Sequence, residues 1–346
     1  MWLILAGLAS AVASQEPRRL VVSADVSRLY ERLSAAPPRT ALALAYLLHE
    51  PEVQLLAVAA GFGGSSTYQR WFSPNPCQAA ERFLSEMGSS VPVVCGSKVG
   101  FLDHNRADDS LTQLMQGGAS WLVLDSWAAA AAVTMPSMKC RALISEFLLP
   151  GPGVLFHGNS VSGPFSHVSD ASMGSPGVLL RAWQDSFQEA RPRLRVLGLA
   201  SGWRQAALHR HSLACRGSWI HRRLDQGAVV GIFYDHAIRL ARSVRFGPMS
   251  TALQGIVHLA FPQDDQAPLL AAAVLSEPPL RCARLRLAET TAGEVLLEDC
   301  RGQHQEDPPD SVYVSVQLVS DGSSLLQHLA DRLCSVKRAS NASEEL

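Results

Sequence analysis

Several features that mark common protein classes are missing from this chain of 346 residues. There are 30 lysines and arginines against 31 aspartates and glutamates, so a formal net charge of −1 gives no basic field for nucleic acid, and no nucleic-acid partner is expected. The seven cysteines have no CxxC or other metal-ligand spacing, and their odd, dispersed set argues against a disulfide framework. One or two disulfide bridges remain possible if the protein is secreted. An unrelated doubly wound enzyme would need a phosphate loop such as GxGxxG after its first strand. The first predicted strand here runs into Ser23-Ala24-Asp25-Val26-Ser27 instead, which disfavours that class of enzyme.

The apolar run at the start of the chain, MWLILAGLASAVAS, is too short to span a bilayer, and no transmembrane segment is expected. Its small terminal residues are typical of a secretory signal that is cleaved after Ala13 or Ser14. No Lys or Arg precedes the run and Arg18-Arg19 follow it, so a buried N-terminal helix or an organellar (mitochondrial) presequence is the alternative. The expected location is therefore the secretory pathway or outside the cell, with mitochondrial and cytoplasmic locations as alternatives. The expected organisation is a leader over 1–17, one α/β domain over 18–336 and a polar tail over 337–346.

Residues 20–64 have the pattern of a strand, a helix and a second strand. The predicted elements are a buried strand at Leu20–Val22, a helix at Ala41–Leu48 with Thr40 as its N-cap, and a buried strand at Val53–Ala60. Two apolar strands joined by a helix predict a parallel sheet, whose ligands bind at the carboxyl ends of the strands. Asp25 and the Gly61–Gly64 turn both follow such ends.

Further apolar runs extend this pattern over most of the chain. Strands are predicted at Val91–Cys95, Trp121–Leu124, Leu194–Leu199, 269–275, 283–289, 294–300 and 312–320, and helices at Ala79–Met87, 205–242 and Gly322–Leu333. The segment Phe101–Asp109 is interpreted as a solvated loop, although it carries Asp103, His104 and Asp108. The predicted fold is α/β, a mostly parallel, Rossmann-like open sheet flanked by helices.

This pattern resembles the inosine-uridine-preferring nucleoside hydrolases. That family begins with an apolar strand, the motif Asp-x-Asp-x-x-x-Asp-Asp-Ala-x-Ala, a helix ending near Pro-Glu-x-x-x-Leu, and a strand running into Val-Gly-Asn. The scaffold half of the motif is present as Ala41-Leu42-Ala43-Leu44, Pro51-Glu52-Val53-Gln54-Leu55-Leu56 and Phe62-Gly63. In the chemical half, Ser23 stands in place of the first Asp, Asp25 keeps the second, and Arg39 and Thr40 replace the closing pair.

The resemblance continues, more weakly, to about residue 335. Gly158-Asn159 matches a family Gly-Asn pair whose Asn contacts the ribose, so the resemblance makes Asn159 a candidate substrate-binding residue. The family's other ribose ligands, a Glu and an Asn, are replaced within Ser169–Gly177, and its late His-Asp pair is replaced around Met249.

The resemblance implies calcium as cofactor, with Asp25 as both a metal ligand and the catalytic base. Calcium takes six to eight oxygen ligands, and of the family's side-chain ligands only Asp25 remains. The expected protein is therefore a catalytically inactive member that binds a nucleoside, a related small ligand or another protein chain, a second copy included. The alternative is an active nucleoside N-ribohydrolase that recruits loop carboxylates such as Glu31, Asp103 or Asp108. A third interpretation makes Asp25 a structural cap on the loop that follows it.

Overall fold

The computed structural model describes most of the sheet and the helices on its two faces. The described residues are 16–30, 39–62, 75–96, 101–124, 130, 132–133, 138–150, 156–157, 160–161, 163–164, 183, 192–199, 240, 243, 249, 271, 274, 280–287, 295–299, 311–319 and 323–335.

The strands are β1 (Arg18–Ser23), β2 (Val53–Ala60), β3 (Val93–Cys95), β4 (Ala119–Val123), β5 (Ile144–Pro150), β6 (Phe156–His157), β7 (Ser160–Val161), β8 (Gly163–Pro164), β9 (Arg193–Leu199), β10 (Leu280–Leu287), β11 (Val295–Asp299) and β12 (Ser311–Val319). The helices are α1 (Arg39–His49), α2 (Pro76–Glu86), α3 (Phe101–Leu114) and α4 (Ser323–Ser335), with 3-10 turns at Ser27–Tyr30 and Lys139–Leu143.

Seven parallel strands form the centre of the sheet, in the order β3-β2-β1-β4-β5-β9-β12. Three antiparallel strands, β10, β11 and β8, extend it beyond β12, and β6 and β7 form a separate two-stranded sheet. The prediction of a mostly parallel α/β sheet flanked by helices is confirmed. The described helices include none that is long and apolar enough to cross a membrane.

The two faces of the sheet bury separate apolar clusters, because successive side chains of a strand point to opposite faces. Leu20 and Val22 of β1 belong to the cluster that contains the apolar residues of α1, α2 and α4. Val21 belongs to the opposite cluster, with Trp121 of β4 and Leu111 of α3. A parallel sheet covered on both faces needs strands that are apolar throughout, and the run Leu20–Val22 meets that requirement.

A buried ion cluster ties the start of β1 to the neighbouring strands. The Arg18 guanidinium forms an ion pair with Glu146 of β5 and donates to the carbonyl of Val274. Arg195 of β9 lies on the other oxygen of the same carboxylate, with its Nε 2.9 Å from Glu146 Oε1. Burial, followed by the neighbouring Arg195 charge, lowers the pKa of Arg18, while Glu146 opposes this shift. One carboxylate is therefore shared by two guanidinium groups.

Arg19, next along β1, points to the opposite layer and holds the end of α3. Its Nη1 donates to the Gly118 carbonyl at 2.9 Å and its Nη2 to the Leu114 carbonyl at 3.3 Å. A cation at a helix C-terminus satisfies carbonyls that have no partner within the helix. Gly117, at φ +87°, makes room for it, since a Cβ there would lie 2.9 Å from Arg19 Nη1.

Three predictions of local structure are wrong. Phe101–Asp109 is not a solvated loop but the first part of α3, whose buried positions Ala107 and Leu111 are spaced by one helical turn and continue to Met115, beyond the predicted segment. Ala271 is helical within the run predicted as a strand over 269–275, since a short apolar run fits either structure. Helix α1 already begins at Arg39, which places Thr40 inside the first turn rather than at the N-cap.

Candidate functional site

The strand order places the candidate site at the carboxyl ends of β1 and β4. Chain order runs outward from β1 in both directions, through β2 to β3 on one side and through β4 to β12 on the other. Where strand order reverses in an open α/β sheet, the loops diverge and leave a crevice in which ligands bind. The backbones of β1 and β4 stay hydrogen-bonded up to this edge, where Leu124 N donates to Ser23 O at 2.9 Å.

Asp25 lies at this crevice, two residues beyond the end of β1, and is half-buried. Its Oδ1 accepts a hydrogen bond of 2.9 Å from the backbone N–H of Ser27, at the start of the 3-10 turn Ser27–Tyr30. The carboxylate thus fixes the backbone that follows β1, in the way that an Asp side chain closes a local turn. Beside it, the Ser27 hydroxyl is buried and has no hydrogen-bond partner among the described residues.

The other positions of the motif are built into the fold. Ser23 is buried as the last residue of β1, where the strand is hydrogen-bonded on both sides. Thr40 is buried in the first turn of α1. Arg39 begins that helix, and its side chain lies outside the described residues.

A buried aromatic pair connects the end of β2 to β4. Phe62, just past β2, is buried and packs edge-on against Trp121 of β4, with ring centroids 6.2 Å apart. Gly61 has a φ of +76°, and the backbone of Gly96 approaches it so closely that a Cβ on Gly96 would lie 2.9 Å from the Gly61 carbonyl oxygen. These glycines let the ends of β2 and β3 meet where side chains would separate them.

Asp108, predicted as an exposed loop carboxylate, is buried in α3. Its two oxygens accept from the backbone N–H groups of Lys139 at 2.8 Å and Cys140 at 2.9 Å. It therefore caps the 3-10 turn Lys139–Leu143 before β5, and both oxygens are engaged there. Burial, and then the hydrogen bond to Asp108, raise the pKa of the Cys140 thiol above its ordinary value.

Apart from Met249, the side chains of the remaining candidates lie outside the described residues. Met249 is helical and exposed, with 57% of its surface accessible. Asp103 and His104 lie on α3, but their side chains are outside the described part of the chain. Glu31 and Asn159 lie wholly outside it, as does the segment Ser169–Gly177.

Sequence reasoning left the cysteine pairing open, and the structure joins Cys77 to Cys95. Cys77 lies in the first turn of α2 and Cys95 ends β3, with Cα atoms 5.7 Å apart, within the range that a disulfide requires. Cys334 of α4 is also disulfide-bonded. The cysteine spacing alone does not reveal pairings, since connectivity depends on how the strands are ordered.

The side chains that the structure describes at this edge do not fit calcium. Calcium requires six to eight oxygens, with carboxylates contributing most of the affinity. Asp25 provides the one carboxylate among the described motif positions, and one of its oxygens is engaged by Ser27 N. Within the described residues, no three His, Cys, Asp or Glu side chains converge as a metal cluster.

Comparison with known proteins identifies the fold. No family model matches the chain, and no curated protein matches it by sequence. Among solved structures, a plant nucleoside hydrolase matches with a TM-score of 0.55 and 14% sequence identity, covering 92% of this chain and 100% of that one. A purine-preferring ribonucleoside hydrolase from Gardnerella vaginalis matches with a TM-score of 0.52 and 12% identity, covering 92% and 99%. The chain therefore has the α/β fold of the nucleoside hydrolases.

Proposed function

We propose that this protein is a non-catalytic member of the nucleoside hydrolase fold that binds a nucleoside or a related small ligand without hydrolysing it. The observation that carries the proposal is the hydrogen bond from Ser27 N to Asp25 Oδ1. It engages one oxygen of the one motif carboxylate that the structure describes. At most one oxygen of Asp25 is therefore left for a calcium ion, which takes six to eight oxygen ligands and draws most of its affinity from carboxylates.

The substitutions at the neighbouring positions support the same conclusion. Ser23 and Thr40 have hydroxyl groups at positions where the nucleoside hydrolases that the sequence resembles have carboxylates, and both residues are buried. A hydroxyl contributes no negative charge to a divalent cation, and the basic Arg39 adds the opposite charge. Hydrolysis that relies on a metal-bound water loses its activation at such a site, because groups that act as a unit are not replaced by one survivor.

A binding role fits the part of the site that has been kept. The described residues at this edge include the close approach of Gly61 and Gly96, the buried ring of Phe62 and the half-buried carboxylate of Asp25. One oxygen of that carboxylate is held by Ser27 N, and Oδ2 would accept a hydrogen bond from a ligand hydroxyl.

The decisive experiment combines calcium titration with a hydrolysis assay. Calorimetric titration of calcium into the purified chain, followed by a panel of purine and pyrimidine nucleosides, is expected to show no micromolar calcium binding and no release of free base. Nucleoside binding without turnover, weakened in Asp25→Ala, is the positive result expected. Micromolar calcium binding with turnover that disappears in Asp25→Ala would overturn the proposal and show that other carboxylates complete the site.

Two variants of Asp25 separate a capping role from a catalytic one. Asp25→Asn keeps an oxygen that accepts from Ser27 N, whereas Asp25→Ala does not. We expect Asp25→Ala to lose about 1 kcal/mol of unfolding free energy and Asp25→Asn to lose less. Glu52→Ala, at an exposed carboxylate in the turn before β2, is the matched control.

We also propose that the protein belongs to the secretory pathway. The bridge between Cys77 and Cys95, and the further bridge that includes Cys334, support an oxidising compartment, because cytosolic thiols are kept reduced. Intact-mass analysis of the chain recovered from the medium of secreting cells is expected to show a start at Ser14 or Gln15. Retention inside the cell with the initiating methionine would contradict it.

A further inference from the structure

The Cys77–Cys95 bridge lies beside the candidate site, at the same edge of the sheet as Asp25. Cys95 is the last residue of β3, and Cys77 Sγ lies 3.7 Å from the carbonyl oxygen of Ala60, the last residue of β2. Gly96 N donates to that same carbonyl at 2.8 Å. The bridge therefore fastens the start of α2 to the carboxyl ends of two strands.

Helix α2 in turn packs on the 3-10 turn that Asp25 caps. The guanidinium of Arg82 lies over the ring of Tyr30, 4.4 Å from its centroid, at the end of that turn. Phe83 of α2 and Leu29 of the turn are buried in one apolar cluster. Helix α2 is thus anchored by a disulfide at its first turn, and residues in its second half pack against the 3-10 turn Ser27–Tyr30, called the Asp25 turn below.

The bridge is accessible to a thiol reagent. Cys95 is exposed and Cys77 is half-buried, in contrast to the free thiol of Cys140, which is buried. Thiol–disulfide exchange requires that an attacking thiolate reach one sulfur, and the exposed Cys95 meets that requirement.

Cutting the bridge leaves most of α2 in place. Asn75 Oδ1 still accepts from Cys77 N at 3.0 Å, and Ala79, Ala80, Phe83 and Leu84 remain buried against the sheet. What is lost is the covalent tie between the first turn of α2 and β3. Reduction is therefore expected to loosen one contact of the site without unfolding the domain.

We propose that Cys77–Cys95 is a reducible bridge that sets the order of the Asp25 turn. A dithiol reductant attacks with one thiolate on the Cys95 sulfur, and the Cys77 thiolate leaves and takes up a proton. The second thiol of the reductant then displaces Cys95 and closes the reductant's own disulfide. Two thiols are formed in the protein and two are oxidised in the reductant. This inference does not depend on whether the site is catalytic.

Hydrogen exchange with mass spectrometry tests the proposal on the full-length folded chain. Dithiothreitol at graded concentration, followed by alkylation and peptide mapping, identifies conditions under which Cys77 and Cys95 are labelled while Cys140 is not. Under those conditions we expect the protection of amides in 24–30 and 75–80 to fall about tenfold, with that of β4 unchanged. The double variant Cys77→Ser/Cys95→Ser, which cannot form the bridge, should show the same pattern without reductant.

Arg82→Ala provides a second route, should the double variant fail to fold. It removes the contact with Tyr30 while the bridge stays intact, so amides 24–30 should exchange faster before reduction and change little after it. Glu81→Ala, at an exposed neighbour on α2, is the matched control and should behave as the unaltered chain.

Unchanged exchange over 24–30 after selective labelling of Cys77 and Cys95 would overturn the proposal. So would labelling of these two cysteines only together with Cys140, because it would show that the bridge opens only on global unfolding.

Discussion

Removing the carboxylate of Glu146 is expected to be among the most damaging single changes in the described sheet. Glu146→Gln keeps the shape of the side chain but removes the charge shared by Arg18 and Arg195. The exposed fractions of the two arginine side chains are 27% and 15%, and that of Glu146 is 9%, so water replaces little of the lost interaction. Breaking a buried ion pair by removing one partner typically costs 3–5 kcal/mol, and we expect about 3 kcal/mol here because Arg18 retains some solvent.

Chemical denaturation of the purified chain measures this loss as a shift in the midpoint at constant slope. A loss of about 3 kcal/mol corresponds to a melting temperature lower by roughly 4 °C for a chain of this size. Glu52→Gln is the matched control, since Glu52 is an exposed carboxylate in the turn before β2 and should change stability by less than about 0.5 kcal/mol.

The physical cause is tested by adding Arg18→Met to the Glu146 variant. If the cost comes from stranded positive charge, removing one guanidinium should be less harmful in the variant than in the unaltered chain. The expected difference is about 1–2 kcal/mol, within the usual range for side chains in direct contact. A loss in Glu146→Gln no larger than that in Glu52→Gln, or strict additivity in the pair, would refute the reasoning.

Two further predictions concern the cap on the 3-10 turn before β5. Asp108→Ala leaves the backbone N–H groups of Lys139 and Cys140 without their acceptor and should lower the unfolding free energy by about 2 kcal/mol or more. Asp109→Ala removes an exposed ion pair with Lys139 and should lower it by less than about 1 kcal/mol. Equal losses in a denaturation experiment would contradict this prediction. The raised pKa of Cys140 predicts that its contribution to stability is constant below the thiol's unfolded value of about 8.5 and is lost progressively above it, because only the unfolded chain ionises there. Unfolding free energy measured from pH 7 to 10 should therefore fall more steeply in the unaltered chain than in Cys140→Ala, and parallel curves would exclude this origin.

The sheet was predictable because its strands are buried on both faces. Val53–Ala60 was predicted with the bounds that the structure shows, and Leu20–Val22 lies within β1. The error over α3 has a physical reason: in Phe101–Asp109 only Ala107 is a described buried apolar position, and the periodicity becomes clear at Leu111 and Met115. When a segment includes only the first turns of such a helix, before its buried apolar residues recur, its sequence resembles that of a polar loop.

The candidate site was predictable in its position but not in its contacts. Asp25 follows an apolar strand, and that alone places it at the carboxyl edge of a parallel sheet. Its hydrogen bond to Ser27 depends on how the chain turns after β1, which no apolar pattern encodes. The burial of Asp108 depends on a partner turn 31 residues away, and the tie between Cys77 and Cys95 on the adjacency of α2 and β3. Long-range contacts of this kind follow from the assembled fold.

The adjacent arginines at the start of β1 tie together the two layers that cover the sheet. Arg18 and Arg19 reach opposite layers of the domain, one to Glu146 and the other to the end of α3. Loss of the exposed residues Glu16 and Pro17 leaves both contacts intact, whereas cleavage after either arginine separates at least one of them from the sheet. Because β1 pairs with β2 on one side and β4 on the other, a protease can cut at this pair only after local opening of the sheet.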